Sequence, residues 1–211
     1  KKIKIAFVSN NAVPFQLSWI KKLGENYEVK AFFSRDINRN QTPSYWKTKL
    51  PNNCKILKGI DNPFFEEKLY SYGIDKELDD FDPDIVQLNG NWAMGLFWQS
   101  YLWAVKRKKF IIAGPMEFSQ TLMNMSKKLR NILIWKLLYK KIDLYLSNSF
   151  IHTDYLGLGL GLKNVVTFSN DGEANELLSH PIRTQKNEVT FMYGGSLRKG
   201  MRVYETLDCV K

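Results

Sequence analysis

The chain has 211 residues, 44% of them hydrophobic and 14% aromatic, which is enough to bury one sizeable core and part of a second and excludes a disordered or low-complexity segment. Lys and Arg outnumber Asp and Glu by 31 to 21, a net charge of +10, so polyanionic partners such as nucleic acid, anionic headgroups or phosphorylated small molecules are favoured. Cys54 and Cys209 stand far apart, which argues against a zinc site or a redox CxxC pair and suits a reducing, cytoplasmic setting.

The start, Lys1-Lys2-Ile3-Lys4-Ile5, is basic and then apolar like a signal peptide, but the apolar run gives way to Ser9-Asn10-Asn11 and is too short for one. No stretch approaches the roughly 20 apolar residues needed to span a bilayer. Residues 3–8 instead read as a parallel strand covered on both faces. Pro14 then opens a helix whose Phe15, Trp19 and Leu23 recur at helical spacing, with Gly24 as its end. Further strands are predicted over residues 27–33, 54–57, 84–88, 110–113, 144–146 and 165–168. Helices are predicted over 93–105 and 127–140, and a long polar loop over 35–51. Alternation of this kind specifies an α/β fold: a Rossmann-like parallel sheet with helices on both faces, wound by right-handed crossovers.

Residues 1–170 form the first domain on this pattern. Residues 171–187 lose apolar periodicity, carry a His180-Pro181 break and read as an interdomain linker. Residues 188–211 hold one fresh strand and helix, the first βα unit of a second domain that one unit cannot complete. The charge is uneven. Residues 75–84 are mostly acidic, whereas Lys106-Arg107-Lys108-Lys109 and residues 127–141 are basic.

Open parallel sheets bind ligands at the carboxyl ends of their strands. The residues there are Ser9-Asn10-Asn11, Asn89-Gly90-Asn91-Trp92, Gly114-Pro115-Met116-Glu117, Ser147-Asn148-Ser149, Ser169-Asn170-Asp171-Gly172 and Gly194-Gly195-Ser196. Amides offer donors and acceptors together, and an indole covers the C–H face of a sugar, so this rim suits a polyhydroxylated ligand. These residue types also serve as ordinary turn formers. The first loop contains no glycine, which disfavours a dinucleotide fingerprint. Gly157-Leu158-Gly159-Leu160-Gly161 imitates one, but follows a helix and reads as a helix stop. In Phe191-Met192-Tyr193-Gly194-Gly195-Ser196-Leu197-Arg198-Lys199-Gly200 a strand runs into glycines, cations and a helix, a pattern that can cradle a diphosphate.

Together these segments resemble the GT4-type retaining glycosyltransferases of the GT-B fold. Residues 84–90 (DIVQLNG) are similar to that family's fourth-strand segment, which commonly ends in His-Gly. Residues 143–149 (DLYLSNS) resemble its aspartate, strand, serine step, residues 164–172 (NVVTFSNDG) its strand leading to the hinge, and residues 191–200 (FMYGGSLRKG) the opening of its donor domain. The resemblance implies transfer of a sugar from a nucleotide-sugar donor to a glycan or lipid-linked acceptor, with no metal or other cofactor. It implies an acceptor half with Asn10, Asn11, Asn89, Asn91, Trp92, Glu117 and Ser149 at its site, and donor-phosphate contacts from Gly195, Ser196, Arg198 and Lys199. The family's Glu-rich donor motif would lie beyond Lys211, so the piece is expected to be inactive alone. Surface polysaccharide or lipopolysaccharide assembly is the setting by analogy.

Ser196 stands where the family commonly has Arg, and Gly114-Pro115-Met116-Glu117 lacks its frequent His. Neither His152 nor His180 is placed as a general base, and Glu117 is the rim carboxylate singled out as a candidate. The basic, Leu- and Trp-bearing helix 127–141 can lie on an anionic membrane at the inner face, or can be a crossover helix with its apolar stripe on the sheet. The rival class is a non-catalytic carbohydrate- or nucleic-acid-binding α/β domain. No RNA- or DNA-binding motif is present, so no specific nucleic-acid partner is expected.

Overall fold

A strand with neighbours on both sides and helices over both faces must be apolar throughout, and residues 5–8, Ile-Ala-Phe-Val, meet that demand. In the computed structural model they lie in the third of seven strands, paired on both sides. It describes residues 2–35, 50–61, 68–89, 95–114, 141–147 and 161–167, with positions 153, 154, 156 and 157. All lie in the first of two units, Lys1–Asn175 and Glu176–Lys211. The expected linker 171–187, the βα unit 188–211 and the basic helix 127–141 lie outside the described residues, apart from Lys141 itself.

The chain begins with β1 (Lys4–Asn11), α1 (Pro14–Asn26), β2 (Glu28–Arg35) and β3 (Cys54–Ile56). A hairpin of β4 (Gly59–Asp61) and β5 (Lys68–Ser71) and a helix α2 (Ile74–Phe81) follow. Then come β6 (Ile85–Leu88), α3 (Gly95–Lys106), β7 (Phe110–Ala113), β8 (Leu144–Ser147) and β9 (Val165–Thr167). Seven strands make one sheet in the order β3-β2-β1-β6-β7-β8-β9, and each of its pairings is parallel. The fold is therefore α/β and Rossmann-like.

Period-two alternation splits the sheet into two cores. Ile5, Phe7, Ala31 and Phe33 face Leu17 and Ile20 of α1. Ala6, Val8, Phe32, Val86, Leu88 and Ile111 face the opposite way, onto Ile74, Leu78 and Phe81 of α2 and Leu96, Phe97 and Tyr101 of α3. Helices thus cover both faces, as the alternation of elements predicts.

Three boundaries differ from the sequence reading. β1 does not stop at Val8: its ladder with β2 continues through Ser9↔Phe33 to Asn11↔Arg35, because backbone pairing makes no demand on side-chain polarity. The first helix passes Gly24 and ends at Asn26, where Tyr27 N–H closes on Leu23 O at 2.9 Å. The acidic stretch 75–84 is largely α2, whose buried Ile74, Leu78 and Phe81 recur at helical spacing beneath its charges.

The hairpin β4–β5 lies outside the main sheet. It is tied to α3 by Gln99, whose side-chain amide donates to Ser71 O at 3.0 Å and accepts from Ser71 N–H at 2.8 Å. The amide replaces one strand neighbour for β5 and satisfies an edge that would otherwise be bare.

Phe81 is 2% exposed, and Lys4 and Lys30 sit over its ring at 5.3 and 5.0 Å. Phe81→Ala is expected to cost about 3–5 kcal/mol, against about 0.5 kcal/mol or less for the exposed Asp80→Ala. Urea unfolding with an unchanged m-value measures both, and equal losses would contradict this packing.

Candidate functional site at the sheet switch point

From β1 the chain crosses to α1 over one face, and from β6 it crosses to α3 over the other. β1 and β6 are neighbours, so the connections leave in opposite directions from adjacent strand ends. This is a topological switch point, and it opens a crevice at the carboxyl edge.

Asn10 and Asn11 reach this edge, but as the last residues of β1 and not as a free loop. Ser34 at the adjoining end of β2 donates to Asn10 Oδ1 at 2.6 Å and lies 3.2 Å from Asn10 O. Asn11 O accepts from Val13 N–H at 3.0 Å, which turns the chain into α1. Asn89 follows β6 directly, and its N–H donates to Val8 O at 2.7 Å. The three described residues among the expected site are therefore brought to one edge, on adjacent strands.

Two further amides belong to the same edge and were missed. Gln87, 7% exposed in the middle of β6, donates from Nε2 to Asn89 Oδ1 at 3.2 Å. Gln16 stands in the first turn of α1, and its Oε1 is buried with no hydrogen bond. Asn89 is 2% exposed, and its Nδ2 is likewise buried and unpaired. A buried polar group without a partner costs about 1–3 kcal/mol; Ser71 Oγ and Ser100 Oγ, away from this edge, are also buried without a hydrogen bond. The edge offers one unused donor and one unused acceptor, which a hydroxyl-rich ligand can meet. The signal for Gln87 was in the sequence as a polar residue inside an apolar strand.

Among the described residues the opposite edge has no such surplus. Asp84 accepts from Lys4 N–H at 2.9 Å, and Asp143 accepts from Ile111 N–H at 2.8 Å. Asn53 donates to Val29 O at 3.0 Å and Asn164 to Asp143 O at 2.9 Å. Asp84 and Asp143, prominent in the sequence motifs, thus stitch the starts of neighbouring strands together. Of the Gly157–Gly161 segment, Gly157 and Gly161 are among the described residues. Gly161 adopts φ +69°, and Leu162 N–H returns to Leu156 O at 3.1 Å ahead of β9.

The acidic and basic runs meet. Arg107 pairs with Asp79 and stacks over Trp103 at 4.7 Å, Trp103 Nε1–H donates to Asp79 at 3.0 Å, and Lys109 pairs with Asp82 at 2.6 Å. Two of the four cations of the 106–109 cluster are thereby paired with α2 and its C-cap residue. Among the described residues no group of His, Cys, Asp and Glu is placed to hold a metal ion, and no helix is long and apolar enough to cross a membrane. Asn91, Trp92, Glu117, Ser149, Gly195, Ser196, Arg198 and Lys199 lie outside the described residues.

No protein-family model and no curated protein matches the chain. Among solved structures, a crystal structure of UDP-GlcNAc 2-epimerase from Neisseria meningitidis bound to UDP-GlcNAc is similar at a TM-score of 0.55 and 14% identity, over 84% of this chain and 50% of that one. The likeness is one of fold, GT-B-like, and this chain spans about half of the matched protein's length.

Cys54 is buried in β3, and burial pushes its thiol up to about 11. At pH 8 about one Cys54 in a thousand is then a thiolate, so it is excluded as a nucleophile near neutrality. In a Cys209→Ser background, Cys54 is expected to resist an aromatic disulfide reagent at pH 8 and to react stoichiometrically on unfolding. Labelling of the folded protein at the rate of a free thiol would contradict this burial.

Proposed function

We propose that this chain is the acceptor-binding half of a retaining, GT4-type glycosyltransferase that moves a sugar from a nucleotide-sugar donor to a glycan or lipid-linked acceptor. The observation that carries the proposal is the unsatisfied amide chemistry at the β1–β6 switch point, Asn89 Nδ2 and Gln16 Oε1, in a fold shared with an enzyme crystallised with UDP-GlcNAc. Asn10, Asn11 and Asn89, with Asn91, Trp92, Glu117 and Ser149, orient an acceptor hydroxyl and cover the sugar's apolar face. Holding the two reactants in register supplies part of the rate.

On the donor side, Gly195 and Ser196 offer backbone N–H groups, and Arg198 and Lys199 offer charge. The bond from the anomeric carbon to the diphosphate breaks while one forms to the acceptor oxygen on the same face, and the acceptor's proton passes to the departing diphosphate oxygen. Negative charge builds on the departing diphosphate, which fixed cations and N–H groups stabilise more than they stabilise the bound donor. That chemistry needs no metal. The basic helix 127–141 would hold the enzyme against an anionic cytoplasmic membrane surface, where a lipid-linked acceptor is found.

A second reading, isomerisation of the nucleotide sugar itself, is favoured by the activity of the structural neighbour. Ligand-observed NMR with UDP-, GDP- and ADP-sugars separates these possibilities when this chain, the full natural chain and a Lys199→Ala variant are compared. The expected result is one donor bound by the full chain and weakened about 10–100-fold by Lys199→Ala. Deuterium entry at the sugar C2 in D2O, with no need for an acceptor, would favour isomerisation over transfer. A full chain that binds no nucleotide sugar would overturn the proposal.

A further inference from the structure

We infer that Gln87 is a positioning residue that fixes the Asn89 amide as a hydrogen-bond donor, so that this edge selects a ligand oxygen with a free lone pair. The inference rests on the switch point being the ligand edge and adds the polarity and the control of its central group. A primary amide is nearly symmetric in shape, and a terminal Asn amide normally rotates to present either oxygen or nitrogen. Asn89 does not have that freedom. Its Oδ1 is engaged by Gln87 Nε2 at 3.2 Å, and both side chains are more than nine-tenths buried.

The surroundings enforce the lock. Gln87 sits in register between Phe7 of β1 and Ile112 of β7, and Phe7 is fully buried. Among such neighbours Gln87 Nε2 has every reason to keep its bond to Asn89, since water is excluded and an unmade bond there is costly. With Oδ1 committed, the buried Nδ2 is left without a partner. A ligand group made only of donors, such as an ammonium, cannot satisfy it. A sugar hydroxyl, a ring or carbonyl oxygen, or a phosphate oxygen can.

The experiment uses the full natural chain and a panel of UDP-GlcNAc, other UDP-, GDP- and ADP-sugars, and free oligosaccharides. Side-chain amide NMR follows Gln87 and Asn89 directly. In the free protein, a Gln87 Nε2 proton should exchange slowly and show scalar coupling across the bond to the Asn89 carbonyl. A bound panel member should shift the Asn89 Nδ2 resonances. Asn89→Asp replaces the donor by an acceptor at equal size and is expected to weaken that ligand at least about tenfold. Gln87→Glu removes the donor that holds Oδ1, so Asn89 turns its nitrogen toward residue 87 and presents oxygen to the ligand. An equal, tenfold or greater loss is expected there at a pH that ionises the buried carboxyl, with a lowered melting temperature from the buried charge and the Asn89 amide signals moved in the free protein.

Gln87→Met tests whether shape alone matters, and an affinity as poor as that of Gln87→Glu would overturn the inference, since Met leaves Asn89 free to turn either way. Coupling in the reverse sense, from Asn89 Nδ2 to the Gln87 carbonyl, would also overturn it. If a panel member binds and Asn89 does not respond, the inference fails while the proposed function stands. If nothing on the panel binds, both fail.

Discussion

The pairing of β1 with β2 on one side and β6 on the other is the constraint on which the rest of the structure depends. It puts the apolar β1 in the interior of the seven-stranded sheet, with a core on each face. Because the chain leaves β1 and β6 toward opposite faces, the same pairing also separates the two connections at the carboxyl edge. The double-sided core and the diverging connections are consequences of one arrangement. Any change that moved β6 out of register with β1 would disturb both the double-sided core and the placement of Asn89 beside Val8.

The two edges of the sheet use polar side chains differently. At the strand starts, Asp84, Asp143, Asn53 and Asn164 each bond a backbone group of a neighbouring segment, and their capacity goes into register. At the strand ends, the bond from Ser34 to Asn10 and that from Gln87 to Asn89 leave a donor on Asn89 unused. The unpaired Asn89 Nδ2 carries a stability cost at the strand ends, which a ligand oxygen would recover. The asymmetry separates the crevice from ordinary turn chemistry, to which Asn and Ser would otherwise be assigned.

Much of the architecture was legible because each half-buried or buried strand writes its environment into its residues. Residues 110–113 and the apolar run before Ser9 are strands by composition alone, and α3 announces itself through Leu96, Phe97, Tyr101 and Trp103. The missing parts were decided by distant contacts. α2 carries its Ile74, Leu78 and Phe81 stripe under a dense acidic surface, and the charge drew attention away from the spacing. The hairpin β4–β5 is short and held by Gln99 from a helix far along the chain, which no local pattern discloses. Asn10 and Asn11 do fall at the carboxyl end of β1 but were taken for loop, since strand continuation there rests on backbone bonds to Arg35 and its neighbours. Gln87 and Gln16 were visible as polar residues in apolar company, yet only the fold shows what each faces. The acidic and basic runs, separate in sequence, turned out to be partners through Asp79 and Arg107 and through Asp82 and Lys109.

The central claim is that the β1–β6 carboxyl edge is where this protein meets a sugar-bearing ligand. Amide hydrogen exchange on the full natural chain, with and without saturating nucleotide sugar, tests it most directly. The account predicts that added protection within the described strands concentrates at residues 9–17 and 87–89, and is small at residues 82–85, 109–111 and 141–145 on the opposite edge. Protection centred on that opposite edge, or on the β4–β5 hairpin, with residues 9–17 and 87–89 unchanged, would contradict it.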